Sequence, residues 1–457
     1  MYAATERTAV HPPPPETPPR RPLDALVIGA GQAGLAVGYH LARHGVRFLL
    51  VDAAPEIGHS WAGRWDSLRL FTPAEYSALP GMAFPAAPGT YPGKDQVADY
   101  LKAYAARFDL PVMPDTRVQH VDQQLGVFRV STSQGTVWAR QVIVATGPFQ
   151  QPAIPSLASG FASAVTQLHS STYRNPSDLP PASAGRVLVV GAGNSGLQIA
   201  LETARTHQVH LAVGTRPRTV AQRPLGRDLF WWLTRTGAVT RPASSPVAAW
   251  FRKRGADLVI GTTWDDIDAA GIQVHARLTA ADRRTARFAR ASHLDDVSAV
   301  VWATGFRPDY SWLDVPGVWD GHRIAHHRGA TAAPGLWFIG LPWQHSRGSA
   351  LLGFVGDDAE WVADQCRRSR ARPTHRGHAA VSAYLSASPA AGGGCGIRTR
   401  EGVNPTRFPS ERHRPLGESS AEEGTQAATG PRNPSPPAHR GPDGALDGRF
   451  VRRPGLA

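Results

Sequence analysis

The most constraining feature of this sequence is a short apolar run near the N-terminus that ends in a cluster of glycines. Residues 25–28 are apolar, and Gly29, Gly31 and Gly34 follow at the G-x-G-x-x-G spacing. Residues 35–43 then show helical periodicity. In such a unit the first glycine allows a tight turn, the second lets backbone N–H groups approach a pyrophosphate, and the third lets helix and strand pack closely. The pattern predicts a strand, a turn and a helix that bind a dinucleotide.

An acidic residue supports this interpretation. A second predicted strand, residues 46–51, ends in Asp52. This is about 20 residues past the glycines, where a carboxylate can accept hydrogen bonds from a ribose 2′-OH. The alternative, an ordinary turn with chance glycines, leaves Asp52 unexplained. The first unit is therefore predicted to bind a nucleotide with a free ribose diol.

The same unit occurs a second time. Residues 187–190 form another apolar run, which precedes a second glycine motif in residues 191–196. The strand that ends in Ala145-Thr146-Gly147 likewise has a counterpart that ends in Ala303-Thr304-Gly305, at nearly the same offset. Two similar units at one offset indicate two dinucleotide-binding domains.

The second unit differs from the first at the position of Asp52. Its second predicted strand, residues 208–213, is followed by Gly214-Thr215-Arg216, which contains no acid. An arginine here can hold a 2′-phosphate, whereas an acid would repel it. We therefore predict that the second unit binds NADPH through Arg216. The alternative is a solvated loop arginine.

Two irregular stretches are rich in aromatic residues. The first, residues 58–73, contains two tryptophans and two arginines: Trp61, Arg64, Trp65 and Arg69. Such residues could pack on a flat ring and hold anionic groups, or they could pin a surface loop. The second stretch, residues 223–260, is predicted to be irregular. Its aromatic residues suit a substrate tunnel, an oligomer contact or a core.

Composition excludes several functions. The chain has 457 residues, enough for two or more domains, and a formal net charge of +13. Arginine outnumbers acidic residues after residue 371, so part of this charge lies in a predicted tail and we expect no nucleic-acid partner. Cys366 and Cys395 are far apart, which argues against a disulfide framework, a zinc site and a redox dithiol. No apolar run reaches the roughly 18 residues of a membrane span, and no secretory signal is recognised. A cytoplasmic location is the simplest expectation.

Together these motifs resemble the flavin-containing monooxygenase superfamily of class B flavoprotein monooxygenases. They are most similar to its bacterial branch near the plant YUCCA-type enzymes and the flavoproteins associated with cation transport. The resemblance covers residues 24–370, and it also rests on residues 58–66 and 168–173. His169 and Tyr173 match the second half of the family fingerprint F-x-G-x-x-x-H-x-x-x-Y/F, whereas Ser163 and Val165 depart from its first half. Relatives that perform Baeyer–Villiger oxidation carry Trp in place of Tyr173, which disfavours ketone oxidation.

The resemblance implies FAD in the first site and NADPH in the second. The implied FAD contacts are Gly29, Gly31, Gly34 and Asp52, with Trp61 and Arg64 near the flavin end. The implied NADPH contacts are Gly191, Gly193, Asn194, Ser195, Gly196, Thr215 and Arg216. His169 and Tyr173 belong to the linker that couples the two domains. His169 could act in the mechanism or simply satisfy backbone groups at a hinge.

The expected fold class is α/β, with two Rossmann-like, three-layer ββα domains. The NADPH domain, residues 156–299, is inserted in a discontinuous FAD domain of residues 23–155 and 300–371. Residues 1–22 are proline-rich and predicted to be disordered. Residues 372–457 lack periodicity and form a predicted disordered tail, or one that is not genuine coding sequence.

The reaction implied by the resemblance needs no side-chain nucleophile. NADPH passes hydride to flavin N5, and reduced FAD reacts with O₂ to give a C4a-(hydro)peroxyflavin. One oxygen atom then reaches a small-molecule nucleophile, with nitrogen or sulfur centres favoured. We assign no catalytic residue and no metal from the sequence. Alternatives are an NAD(P)H-dependent flavin reductase or oxidase without oxygen insertion, and a redox-sensing regulatory flavoprotein. A homodimer is left open.

Overall fold

The computed structural model describes residues 18–246, 248–249, 258–321 and 323–370. The predicted tail of residues 372–457, residues 1–17 of the predicted N-terminal tail and part of the aromatic stretch 223–260 lie outside the described residues. Among the helices within those ranges, none combines the length and apolar character that crossing a membrane requires.

The helices and strands follow one another in a mixed order. In chain order, the helices with described limits are α1 (Gln32–Arg43), α2 (His59–Ala62), α3 (Lys94–Arg107), α4 (Asn194–Thr203), α5 (Leu229–Arg235), α6 (Trp264–Ala269) and α7 (Gly356–Arg370). The strands of the first half are β1 (Ala25–Ile28), β2 (Phe48–Val51), β3 (Val112–Met113), β4 (Val118–Gln124), β5 (Val127–Thr132), β6 (Gly135–Ala139), β7 (Val142–Val144), β8 (Gln151–Pro152), β9 (Thr166–His169), β10 (Arg186–Val190) and β11 (Val209–Ala212). Those of the second half are β12 (Thr219–Val220), β13 (Val259–Ile260), β14 (Gln273–His275), β15 (Leu278–Asp282), β16 (Thr285–Phe288), β17 (His293–Leu294), β18 (Val297–Trp302), β19 (Phe306–Arg307), β20 (Trp319–Asp320), β21 (Arg323–Ile324) and β22 (Leu336–Phe338).

The first large sheet has the strand order β22-β7-β1-β2-β3. All four pairings are parallel. Its central strands are continuous apolar runs, because a parallel sheet is covered on both faces. One face packs against α1, α3 and α7, and the other packs against the antiparallel sheet β4-β5-β6. These elements form three layers.

The second large sheet repeats this arrangement. Its order is β14-β11-β10-β18-β9, again with parallel pairings. Helices α4 and α6 pack against one face, and the antiparallel sheet β15-β16-β17 packs against the other. The expected α/β class with sheets of parallel strands is therefore confirmed, and the two sheets share one layered plan.

The chain leaves the first sheet after β7, builds the second, and returns at β22. The two connecting segments meet as an antiparallel pair, β8 with β19, in which Phe306 faces Pro152. Strand β18 lies in the second sheet and runs across residue 300. The chain thus leaves the second sheet after Trp302, whereas the predicted domain boundary falls inside β18.

Two local expectations were wrong. Helix α1 begins at Gln32 rather than at residue 35, because the extended backbone ends at Gly31 (φ −75°, ψ −172°), which is the N-cap of the helix. The stretch 223–260 is not irregular throughout, since it contains α5 and β13. Asp228 caps α5 by accepting a hydrogen bond from the Phe230 amide at 2.7 Å, and an aspartate at this position is a recognisable start signal.

Candidate functional site

In the first glycine turn, backbone packing requires two of the three glycines but not the third. Gly29 has φ +107°, and a Cβ there would lie 2.7 Å from the Ala145 carbonyl oxygen. A Cβ on Gly34 would overlap the Gly29 carbonyl oxygen. A Cβ on Gly31, in contrast, would meet nothing within 4 Å. The bare backbone at Gly31 therefore faces open space, as a closely approaching ligand requires.

The second turn has the same three-part geometry. Gly191 has φ +111°, and a Cβ there would overlap the Ala303 carbonyl oxygen. A Cβ on Gly196 would overlap the Gly191 carbonyl oxygen, while one on Gly193 would meet nothing within 4 Å. Each open glycine directly precedes a helix, α1 or α4. Helix N-termini present free N–H groups and positive potential, which suit a pyrophosphate.

Asp52 lies at the end of β2, as the sequence predicts, and its carboxylate braces the glycine turn. One oxygen accepts a hydrogen bond from the Ala30 amide at 2.6 Å, and the other accepts one from the Ala54 amide at 2.8 Å. A carboxylate has about four acceptor positions, so both oxygens retain capacity for a ribose hydroxyl.

The two tryptophans of residues 58–73 pack against the protein core. Trp61 donates from Nε1 to Gln32 Oε1 at 3.2 Å, and it packs against the cores of both large sheets. Trp65 is 5% exposed and belongs to the core of the second sheet. This segment, which follows β2 of the first sheet, therefore connects the two halves of the structure, each of which is built on one large sheet. Gln32 was missed from the sequence, although its place inside the glycine motif made it a candidate.

Arg64 is half-buried and lies against two neighbouring aromatic rings. Its guanidinium carbon lies 5.8 Å from the Phe149 ring centroid and 5.4 Å from that of Phe306. Nε donates to the Ser60 carbonyl oxygen at 3.0 Å. Burial, followed by the positive charge of Arg174, lowers the pKa of Arg64. This arginine thus stands where the two connecting segments cross.

His169 fastens the linker to the second Ala-Thr-Gly motif. Nε2 lies 2.9 Å from the Gly305 carbonyl oxygen, and Nδ1 lies 3.2 Å from the Ser171 amide nitrogen. Because the carbonyl only accepts and the amide only donates, Nε2 carries the proton and Nδ1 is the acceptor. Burial lowers the pKa of His169, which favours this neutral form. These contacts match the structural alternative for His169, in which it satisfies backbone groups at a hinge.

Tyr173 is fully buried. Its hydroxyl donates to Glu202 Oε2 at 3.0 Å and lies 3.1 Å from Thr203 Oγ1. Burial raises the pKa of the phenol above its usual range. Tyr173 therefore ties the linker to the end of α4 as a neutral group.

In the structure, the predicted residues of the second site follow the carboxyl ends of β10 and β11, which are parallel neighbours in the second sheet. Asn194 begins α4, and its side chain accepts from the Ile260 amide at 3.1 Å. Ser195 follows it in the first turn of the helix. Thr215 and Arg216 are exposed and lie just past β11. The Arg216 guanidinium carbon lies 4.1 Å from the centroid of the Trp264 ring.

Trp264 was missed because it is remote from Arg216 in sequence. Its Nε1 donates to the Pro217 carbonyl oxygen at 3.2 Å, which fixes the ring beneath the arginine. Only the tertiary structure brings the two residues together. No motif in the sequence marks Trp264.

The aromatic stretch after residue 223 contributes at least one core residue. Phe230 is 1% exposed, and its ring centroid lies 6.0 Å from that of Phe71 and 6.1 Å from that of Phe354. Phe230 therefore packs against side chains from two other segments of the chain. For Phe230 the core alternative is the one that the structure supports.

Comparisons with known proteins agree with this architecture. The sequence model of the pyridine nucleotide-disulphide oxidoreductase family matches residues 26–228. An uncharacterised CzcO-like oxidoreductase of Geobacillus kaustophilus is 43% identical over 343 residues, which cover 74% of this chain and 97% of the relative. The indole-3-pyruvate monooxygenase YUCCA1 of rice is 28% identical, with 64% and 79% of the two chains covered. The structure of a flavin-containing monooxygenase from Stenotrophomonas maltophilia aligns with a TM-score of 0.61 and 29% identity, over 76% of this chain and 98% of that one. The chain therefore belongs with the CzcO-like oxidoreductases in the flavin-containing monooxygenase superfamily, a group of flavoprotein oxidoreductases.

Proposed function

We propose that this chain is an FAD- and NADPH-dependent monooxygenase that transfers one atom of O₂ to a small-molecule nucleophile. The observation that carries the proposal is the pair of glycine turns. In each turn, backbone contacts require the outer glycines and the middle one faces open space. The two layered sheets are then two Rossmann-like domains. The FAD-binding domain is the one built on the first sheet, residues 23–155 and 303–370, and the NADPH-binding domain is the one built on the second sheet, residues 156–302.

In the first site, the backbone around Gly31 and the N-terminus of α1 hold the FAD pyrophosphate. Asp52 accepts from the ribose while it braces the turn through Ala30. Trp61, fixed by Gln32, lies near the flavin end, and so does Arg64. Gly29 and Gly34 contribute by keeping the turn tight, since any side chain there would strike backbone.

In the second site, Gly193 and the N-terminus of α4 hold the NADPH pyrophosphate, with Asn194 and Ser195 in the first turn. Gly191 and Gly196 keep this turn tight in the same way. Thr215 and Arg216 bind the 2′-phosphate, because an exposed guanidinium beyond the second strand can form a bidentate pair with it.

When bound, the two cofactors supply hydride transfer and oxygen activation. The overall reaction consumes the substrate, NADPH, a proton and O₂, and it yields the oxygenated product, NADP⁺ and water. The protein's task is to position the two cofactors and to keep bulk water away. His169, in its neutral form, fastens the linker to the Gly305 carbonyl oxygen and the Ser171 amide. Trp61 packs against the cores of both large sheets. Nitrogen or sulfur centres are the favoured acceptors of oxygen.

A dithiol reductase is disfavoured by the one cysteine within the described residues. Cys366 is fully buried, and burial raises the pKa of its thiol above the usual range. A protonated, inaccessible thiol cannot attack a disulfide at neutral pH.

Turnover under ¹⁸O₂ tests the proposal. The FAD-loaded protein is supplied with NADPH and a panel of amines, sulfides, ketones and 2-oxo acids. We expect one ¹⁸O atom in the product of at least one amine or sulfide. NADPH consumption with release of hydrogen peroxide alone would identify a reductase or oxidase. Failure of NADPH to bleach the flavin would point to a redox-sensing role.

A further inference from the structure

A second arginine lies beside Arg64. Arg174 follows the His169–Tyr173 linker, and its Nη2 lies 3.8 Å from the position that a Cβ on Gly63 would take. Its charge lowers the pKa of Arg64. From the sequence alone, Arg64 is paired with Arg69 as a candidate anion holder. In the structure its cationic neighbour comes from the linker between the halves.

Within the described part of the chain, no carboxylate forms an ion pair with either guanidinium; Asp178, the carboxylate next to Arg174, accepts from the backbone amides of Arg174 and Asn175 instead. Arg64 donates only to the Ser60 carbonyl oxygen, at 3.0 Å. Nη1 of Arg174 donates to the carbonyl oxygens of Ser171 and Tyr173, at 3.0 and 3.3 Å. The nearby Asp66 instead accepts from Lys94 and Asn175. Two half-buried guanidinium groups without an ion-pair partner are unfavourable through both desolvation and repulsion. A bound anion would relieve both.

The surroundings orient the free N–H groups of Arg64. The rings of Phe149 and Phe306, with centroids 5.3 Å apart, lie next to each other on one side of its guanidinium, while Nε donates to the Ser60 carbonyl oxygen. The two Nη groups remain available as a planar fork, the geometry that binds a carboxylate or phosphate bidentately. Phe149 is 65% exposed, which leaves an apolar surface beside this fork.

We propose that Arg64 and Arg174 form an oxyanion-binding site at the crossing of the two connecting segments, and that its ligand also covers Phe149. The shared chemistry is a carboxylate or phosphate oxygen pair. Two sources supply it: a phosphate of the bound dinucleotides, or a carboxylate on the molecule that is oxygenated. The proposal rests on the proposed function, which brings both kinds of ligand to this junction.

Calorimetric titration of single variants tests the site without any need for turnover. Arg64→Gln and Arg174→Gln each remove one fork, and Arg69→Gln is the matched control. Arg69 lies in the same segment but is exposed, and its Nη1 lies 3.2 Å from the position of a Cβ on Gly93. The probes are FAD with the apoprotein, then NADP⁺ and 3-phenylpropanoate with the FAD-loaded protein. The neutral 3-phenylpropanamide controls for apolar contact with Phe149.

We expect both Arg64→Gln and Arg174→Gln to weaken the same anionic probe by about tenfold to a hundredfold. The double variant should lose less than the product of the two single losses, because both arginines contact one ligand. Weaker FAD or NADP⁺ binding identifies a dinucleotide phosphate. Weaker 3-phenylpropanoate binding, with the amide unchanged, identifies a substrate carboxylate.

Two results would overturn the site. One is unchanged affinity for all three anionic probes in both variants, and the other is an equal loss in Arg69→Gln. The ¹⁸O₂ experiment on the wild-type protein separates this failure from failure of the proposed function. Oxygen transfer without arginine-dependent anion binding would reject only the proposed anion site. Arginine-dependent anion binding without NADPH-driven bleaching or oxygen transfer would reject only the proposed monooxygenase activity.

Discussion

The guanidinium of Arg216 lies on the indole ring of Trp264, 4.1 Å from its centroid, and the indole is in turn anchored to the Pro217 carbonyl oxygen. Two successive contacts thus fix a side chain that is otherwise exposed. A long cationic side chain gives up rotamer freedom when it binds a phosphate. Part of this entropic cost is already met here before any ligand arrives.

Trp264→Leu should therefore weaken NADPH more than NADH. The stacking contact is worth about 0.5–2 kcal/mol, so we expect a roughly two- to thirtyfold rise in the KM for NADPH. The KM for NADH and both kcat values should change little, and Trp264→Phe should restore most of the preference. Steady-state kinetics with both nucleotides measures this. A matched loss for NADH would mean that Trp264 only supports the fold.

Arg216→Ala removes the proposed 2′-phosphate contact itself. Hydrogen bonds to a charged group contribute about 1.5–3 kcal/mol, so NADPH affinity should fall about ten- to a hundredfold. Titration with 2′,5′-ADP and with 5′-AMP isolates the phosphate, since only the first ligand should respond. The 2′-phosphate assignment fails if both ligands lose affinity equally.

The glycines of the first turn should separate binding from stability. Gly31 has negative φ and open space, so Gly31→Ala should leave the melting temperature of the apoprotein nearly unchanged and weaken FAD by at least roughly tenfold. Gly34→Ala places a methyl group against the Gly29 carbonyl oxygen and should cost at least about 2 kcal/mol of folding free energy. Calorimetry and FAD titration of the two apoproteins make the comparison. Equal destabilisation by both changes would show that Gly31 is a packing glycine.

The second sheet should lose stability in mild acid. His210 is 2% exposed, and its Nδ1 lies 2.9 Å from Nε2 of His275. Burial, then the neighbouring His275 and Arg186, lowers the pKa of His210 from 6.5 to about 4. Between these pH values the unfolded chain binds more protons than the folded one, so acid favours unfolding. Up to about 3 kcal/mol of the free energy of unfolding is lost as the pH falls through this window.

Melting curves from pH 7.5 to 4 check this acid sensitivity. His210→Gln should flatten the pH dependence, even if it lowers stability at neutral pH. His293→Gln is the control, because His293 is an exposed histidine at the edge of the same half. An unaltered slope in His210→Gln would assign the acid sensitivity to other groups.

Local structure could be predicted from the sequence, but the tertiary contacts could not. Strand, glycine turn and helix are encoded in neighbouring residues, so β1, α1, β10 and α4 could be anticipated, and Asp52 could be placed at the end of β2. The use of Asp52 to brace Ala30 could not be foreseen, because it depends on how the turn folds back onto β2. The partners of Arg64 and Arg216 were out of reach for a related reason. Arg174 and Trp264 are brought in by separate chain segments, and no periodicity connects such positions.

The most direct test of the account is to supply the purified chain with excess FAD, remove the unbound cofactor, and add NADPH without oxygen. We predict one tightly held FAD per chain and prompt bleaching of its visible absorbance, with NADH slower at equal concentration. A chain that stays colourless after this treatment would contradict the central claim that its two glycine turns hold two dinucleotides.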